Sequence, residues 1–237
     1  MKKLIILSLA SLFLFGCEKD ELIPSDNKPI QSSIKDTTPV SSTVVILDTC
    51  KIPIYGKGGG WPLPILLYQT WKTKDLDVTK YNNGDPIPEV SPEVLNTIKT
   101  GAWTRGRNGN KLYNWYAIED PRGIEPPGYH IPTSTDLHYL RNSLYDNSRP
   151  LISKTPWSLG TPGGSDTYGF NCLLTSRIWD GKIDQDLSSS YYWYGKSGSN
   201  NSTTQSCFYL GNDNNRWRFG SLIVPKNTGN AIRLIKD

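Results

Sequence analysis

Two lysines, Lys2 and Lys3, precede a twelve-residue apolar run from Leu4 to Phe15, and Gly16 sits directly before Cys17. A charged start, a short apolar stretch and a small residue at the cut position make a secretory leader. The run is too short to cross a bilayer, which takes about 20 apolar residues. The chain is therefore expected to lose residues 1–16 as a leader and to fold outside the inner membrane. This sets the terms for folding. The body must build its core from the residues after the leader, in a compartment where disulfides are permitted.

Leu14-Phe15-Gly16-Cys17 also resembles the lipobox of bacterial lipoproteins. The resemblance implies lipidation of Cys17 and cleavage just before it. Each buried CH₂ of an acyl chain contributes about 0.8 kcal/mol, so several chains on one cysteine hold a protein at a membrane where a single chain would not. Glu18-Lys19-Asp20-Glu21 is similar to the Lys-plus-acidic export signal of Bacteroidetes-type lipoproteins. It implies an outer-membrane location, lipid-anchored and exposed at the cell surface.

Of the 26 Lys and Arg residues, Lys2 and Lys3 leave with the leader, so 24 basic residues face 22 acidic ones. That balance lacks the concentrated basic stripe of a nucleic-acid binder. Residues 17–43 read as a flexible tether. They are polar, interrupted by proline and nearly free of aromatics, and such a stretch cannot support a core. Within it, Asp36-Thr37-Thr38 resembles a short Bacteroidetes-type O-glycosylation sequence. Residues 44–237 form the body. Its 8 Trp and 13 Tyr among many glycines and prolines predict a loop-rich fold without long helices.

Thr133-Ser134-Thr135-Asp136 before Leu137, Leu140 and Leu144 gives the best helix signal, with cap oxygens and then leucines at i, i+3 and i+7. Pro92–Lys99 is a second helix candidate, and Asn82-Asn83-Gly84-Asp85-Pro86 is a turn by composition. Strands are expected in Val44–Leu47, between Tyr68 and Val78, and over Gly169–Leu174, Tyr191–Tyr194, Cys207–Leu210, Arg216–Phe219 and Ala231–Ile235. Ser197–Ser206 reads as a polar loop.

Gln69-Thr70-Trp71, Leu76-Asp77-Val78 and Tyr81-Asn82-Asn83-Gly84-Asp85-Pro86-Ile87-Pro88 resemble the opening of the Fibrobacter succinogenes major paralogous domain. Lys111-Leu112-Tyr113-Asn114-Trp115-Tyr116-Ala117 with Asp120-Pro121-Arg122-Gly123 is similar to its central signature. Gly128-Tyr129-His130-Ile131-Pro132-Thr133, Gly169-Phe170-Asn171, Tyr192-Trp193 and Ile232-Arg233-Leu234-Ile235-Lys236-Asp237 continue the likeness in order, strongest over 66–237. Tyr129 stands where the family usually has Trp, and Leu234 where many members have Cys. The resemblance implies an α+β, C-type-lectin-like fold: two short helices around twisted antiparallel sheets with long loops. That fold hosts both binders and enzymes.

Beyond Cys17 the chain carries Cys50, Cys172 and Cys207. Sequence does not determine connectivity. Cys172–Cys207 is the favoured disulfide because both lie in expected strands, while Cys50 sits near the entrance to the body. No cysteine or histidine pair has metal-ligand spacing, so neither metal nor cofactor is expected. His130, flanked by Tyr129 and Ile131, reads as a hydrogen-bonded structural residue, and His138 as an exposed helix residue. There is no GxSxG serine elbow. The carboxylates Glu119, Asp120, Asp184, Asp186 and Asp213 occupy turn-like settings. Asn212-Asp213-Asn214-Asn215 offers oxygens that suit Ca²⁺ but reads equally well as a tight turn.

The aromatics remain. Tyr191 and Trp193 share one strand face, Tyr192 and Tyr194 the other. Rings with polar tips suit sugars and protein partners. Tyr192, Tyr194 and Trp217 are accordingly the expected ligand contacts. The sequence thus points to a membrane-tethered, non-catalytic binding domain for a glycan or a surface protein. The alternatives are an extracellular carbohydrate-active enzyme with a carboxylate pair and a structural envelope component.

Overall fold

The computed structural model describes residues 48–56, 65–157, 162–195, 203–213 and 216–237. Cys17, the leader, the tether and Val44–Leu47 lie outside that set, as does most of Ser197–Ser206. In chain order the strands are β1 (Thr49–Gly56), β2 (Ile65–Lys72), β3 (Trp103–Arg105), β4 (Lys111–Tyr113), β5 (Tyr129–His130), β6 (Ile178–Trp179), β7 (Lys182–Ile183), β8 (Ser189–Trp193), β9 (Thr204–Asp213), β10 (Arg216–Pro225) and β11 (Ile235–Lys236). The α-helices are α1 (Pro92–Leu95), α2 (Trp115–Glu119) and α3 (Ser134–Ser143), with one 3₁₀ turn at Arg149–Leu151.

Thr133 starts α3 as its sequence predicts. Its hydroxyl accepts from the Asp136 amide at 3.2 Å, and the Asp136 carboxylate accepts from the Thr133 amide at 2.8 Å. This reciprocal cap satisfies amides that the first helical turn leaves unpaired. Leu137, Leu140 and Leu144 are buried, as their spacing requires. The helix stops where Tyr145 and Asp146 turn left-handed, at φ 50° and 60°.

Pro92–Lys99 yields only the single turn of α1. The carbonyl of Asn96, which a longer helix would use, is taken by the side-chain amide of Asn227. The short helix α2 is capped by Asn114, whose Oδ1 accepts from Ala117 at 3.1 Å and from Ala102 at 3.0 Å.

All pairings between these strands are antiparallel. One sheet has the order β1-β2-β11-β5 and another β10-β9-β8, with two-stranded β3-β4 and β6-β7 beside them. Short helices with small antiparallel sheets make the class α+β. Cys50 is a core residue of β1, 2% exposed, and not a group at the edge of the body. The expected strand Gly169–Leu174 reduces to a single bridge between Ile152 and Cys172. Ala231–Ile235 contributes only the start of β11, but Ala231 runs beside β8, exchanging backbone hydrogen bonds with Tyr191 and Trp193.

Strand β8 separates two cores. Tyr192 stacks on Phe208 at 5.0 Å, and Phe208 on Phe219 at 5.7 Å, within the core that also holds Trp71, Leu140 and Phe170. Tyr191, Trp193 and Cys207 belong to the other core, with Trp115 and Trp103. This two-sided burial overturns the expected Cys172–Cys207 disulfide. Cys207 pairs with Trp193 across the strands and shares its face, while the Cys172 sulfur lies 3.2 Å from the hydroxyl of Tyr192, on the opposite face. A bridge needs sulfurs that approach each other, and here the sheet stands between them. Both are free thiols. Burial pushes each up to about 12.

Arg233 ties the first core to the chain around it. Its guanidinium pairs with Asp75 at 2.6 Å, donates to the Phe170 carbonyl at 2.6 Å and lies 4.4 Å from the Phe170 ring centroid.

Candidate functional site

The face carrying Tyr192, Tyr194 and Trp217 turns inward. Tyr192 is 0% exposed, which removes it as a ligand contact. Tyr194 is half-buried with its ring edge-on to Phe208 at 6.3 Å, and Trp217 is half-buried against the same core. Alternation along β8 divides the rings between two faces as the sequence predicts, and the cleft opens on the other face.

On that other face, the register Ser189↔Gly211, Tyr191↔Tyr209 and Gly220↔Tyr209 sets the side chains of β8, β9 and β10 in one row. A cleft of about 270 Å³ opens there, lined by Ser188, Ser189, Tyr191, Tyr209, Arg218 and Leu222 among others. Two glycines shape it. A Cβ on Gly220 would fall 2.4 Å from Cζ of Tyr209, so this ring lies directly across the glycine backbone. A Cβ on Gly211 would meet Ser189 Oγ at 2.7 Å. Tyr209 remains half-buried, and its ring centroid is 6.0 Å from that of Tyr191, tilted by 43°.

Asp186 organises the cleft from behind. Its Oδ2 accepts from the Tyr191 hydroxyl at 2.8 Å, and its Oδ1 from the Ser188 amide at 2.8 Å and hydroxyl at 2.6 Å. Burial alone would raise this carboxyl, but the hydrogen bonds from Ser188 and Tyr191 outweigh it and hold the group below its ordinary value. Tyr191 is pushed up, first by burial and then by its bond to Asp186. Arg177 lies 4.1 Å from the Tyr191 ring centroid and pairs with Asp184 at 2.7 Å.

A second hollow of about 350 Å³ lies at the end of α2, lined by Lys99, Tyr116, Glu119, Asp120 and Arg122 with neighbouring prolines. Its carboxylates adjoin in sequence and each faces a cation. Glu119 meets the buried Lys226 at 2.5 Å, and Asp120 meets Arg122 at 2.8 Å. Arg122 also reaches Asp85 at 3.1 Å and covers the Tyr81 ring at 4.0 Å. Asp184 and Asp186 are likewise committed to Arg177 and to Ser188 and Tyr191. Among the described residues, no group of three or more His, Cys, Asp or Glu is placed to hold a metal ion.

The family model described as the Fibrobacter succinogenes major domain matches residues 68–236. This chain belongs to that family. Comparison with curated proteins finds no match, and neither does comparison with solved structures.

The signature residues of this Fibrobacter succinogenes major domain build the fold more than they line the cleft. The Tyr113 hydroxyl donates to the Val78 carbonyl at 2.7 Å, and the Trp193 indole to the Tyr113 carbonyl at 2.7 Å. Asn82 donates through its amide to Gly123 and through its side chain to Glu125, joining the opening motif to the central one. His130 takes the structural position expected of it, with Nδ1 2.7 Å from Asp237 and Nε2 3.2 Å from Asp136. His138 is exposed on α3 beside Asn142. The cleft residue that sequence reasoning missed is Tyr209. The available signal was a pair of strand glycines, Gly211 two residues further along β9 and Gly220 opposite Tyr209 on β10, where a missing side chain marks close approach.

Proposed function

We propose that this protein is a surface lipoprotein, held in the outer membrane by lipid on Cys17, whose C-type-lectin-like domain binds a glycan without transforming it. Short capped helices, antiparallel strands and long irregular connections support the fold assignment. The observation that carries the binding reading is the Tyr191–Tyr209 cleft. It combines a half-buried ring fixed across Gly220 with the serines of Ser188–Ser189 and the guanidinium of Arg218 at its walls. Flat rings cover the apolar face of a sugar, and hydroxyl and guanidinium groups meet its edge. A carboxylate-pair hydrolase is the less supported reading, because Glu119, Asp120, Asp184 and Asp186 are each bound to protein partners.

The full chain in detergent, screened on a glycan array, tests the reading. Tyr209→Ala should weaken binding about thirtyfold, corresponding to roughly 2 kcal/mol for an aromatic anchor. Unchanged binding by the folded variant would place the ligand elsewhere.

A further inference from the structure

We infer that two copies of this chain pair edge to edge through β10, with the two-fold axis at Ile223. The inference does not depend on what the cleft binds. Strand β10 is the outer strand of the β10-β9-β8 sheet. In an antiparallel ladder, alternate residues turn both backbone groups to the same side. The Phe219 amide leaves the sheet for the Asp146 carbonyl, so Ser221 and Ile223, at two-residue steps beyond it, also face outward. Among the described residues, none takes up the outward backbone groups of Ser221 or Ile223.

Native sheet edges are protected by charge, by proline or by a covering segment. Here Asp146 covers the edge at Phe219, and Pro225 ends it without an amide to offer. The stretch between them, Ser221-Leu222-Ile223-Val224, carries no charge. Leu222 is 39% exposed and Ile223 75%, and Ile223 belongs to neither core. An open edge with an exposed apolar centre is a template for another strand.

The ends of the open stretch identify that strand. A long extended peptide would run into the Tyr145–Asp146 turn beside Phe219. A second β10 would not. Laid antiparallel with Ile223 on the partner's Ile223, it sets Ser221 against the partner's Pro225. There the strand ends, because the Thr228 amide closes onto the Pro225 carbonyl and Lys226 is drawn into the protein. The two isoleucines exchange two backbone hydrogen bonds, and each Ser221 amide donates to the second lone pair of the opposite Pro225 carbonyl. Apolar side chains cover each other and no like charges meet. The axis of such a pair stands perpendicular to the sheet, so both clefts open on one face of a continuous sheet. Leu222, at the wall of each cleft, then lies beside the partner's Val224, and a ligand with repeated units meets two sites at once.

Sedimentation of the full chain in detergent tests this and should show a monomer–dimer equilibrium. Ile223→Lys should weaken self-association about thirtyfold and leave the thermal transition in place, since the side chain packs in neither core. Cross-linking reads the register. Opposite residues of a hydrogen-bonded pair stand about 5.5 Å apart at Cα, within disulfide range. Ile223→Cys should therefore form an intermolecular disulfide in oxidised glutathione. Ser221→Cys, also exposed but opposite Pro225 instead of its own copy, should stay monomeric under the same treatment. The buried thiols of Cys172 and Cys207 do not compete. A monomer at every concentration, a dimer that persists with Ile223→Lys, or cross-linking through Ser221→Cys as readily as through Ile223→Cys overturns the inference. In the first case the edge is left to a strand of another protein.

Discussion

Gly220→Ala offers the sharpest test of how the cleft is built. The added carbon would fall 2.4 Å from Cζ of Tyr209 and 2.5 Å from both its Cε1 and its hydroxyl oxygen. A ring flanked by Tyr191 cannot yield by bending, so the whole side chain must leave its place. Overpacking of this kind costs about 1–3 kcal/mol. Gly220 has no left-handed φ, so alanine is otherwise compatible with the strand. Replacing glycine at a compatible site stabilises by about 0.4–1 kcal/mol, by restricting the unfolded chain. The sign of the effect should therefore depend on the ring. Gly220→Ala should destabilise the protein by up to about 2.6 kcal/mol when Tyr209 is present and be neutral or stabilising in a Tyr209→Ala background, a coupling of about 1–3 kcal/mol. Urea unfolding of the four members of the cycle measures this, provided the m-values agree. Additive effects would show that the ring does not cross Gly220, and the cleft would lose its floor.

Asp186 should confer acid sensitivity. Its folded pKa is lowered, so its contribution is present above the ordinary value of 3.8 and is lost as pH falls through the lower folded value. Asp186→Asn should flatten that acidic limb in urea midpoints taken across pH, and an unchanged limb would assign the sensitivity to other carboxylates. Cys172 and Cys207, buried with raised pKa, should resist alkylation in the native protein and react after unfolding. A cross-linked peptide pair in non-reduced mass mapping would contradict their placement. For the anchor, Cys17→Ser should leave the precursor uncut and unlabelled by a fatty-acid analogue, and labelling of the mutant would refute lipidation at that position.

Local signals in the sequence survived folding where the chemistry was itself local. Thr133 and Asp136 bond to each other three residues apart, so the α3 cap was legible without knowing anything else. Gly84 holds φ 93° in the turn that Asn82–Pro86 announced. Helix α1 ended early for a reason no local pattern contains, since the group that takes the Asn96 carbonyl is Asn227, 131 residues away. The disulfide failed in the same way. Both cysteines do lie close to the β8 region, but the sequence gives no measure of which side of a strand a distant segment will cover.

The expected ligand contacts Tyr192, Tyr194 and Trp217 turn inward for a more specific reason. Period-2 alternation divides Tyr191 and Trp193 from Tyr192 and Tyr194 but does not say which half meets solvent, and in β8 neither half does over most of its length. When both faces of a strand are buried, exposure is decided by its neighbours. On β10 the glycine at 220 leaves room for the Tyr209 ring, and exposed Arg218 and Leu222 flank that glycine at two-residue spacing on the same face. The face of Phe219 is closed instead by the core it shares with Leu137, Leu140 and Leu144, while its amide, pointing out from the β10 edge, donates to the Asp146 carbonyl. The left-handed pair Tyr145–Asp146 thus brings a carbonyl to the free edge of β10, beside the leucines that close the Phe219 face, and the opposite face is left to the cleft.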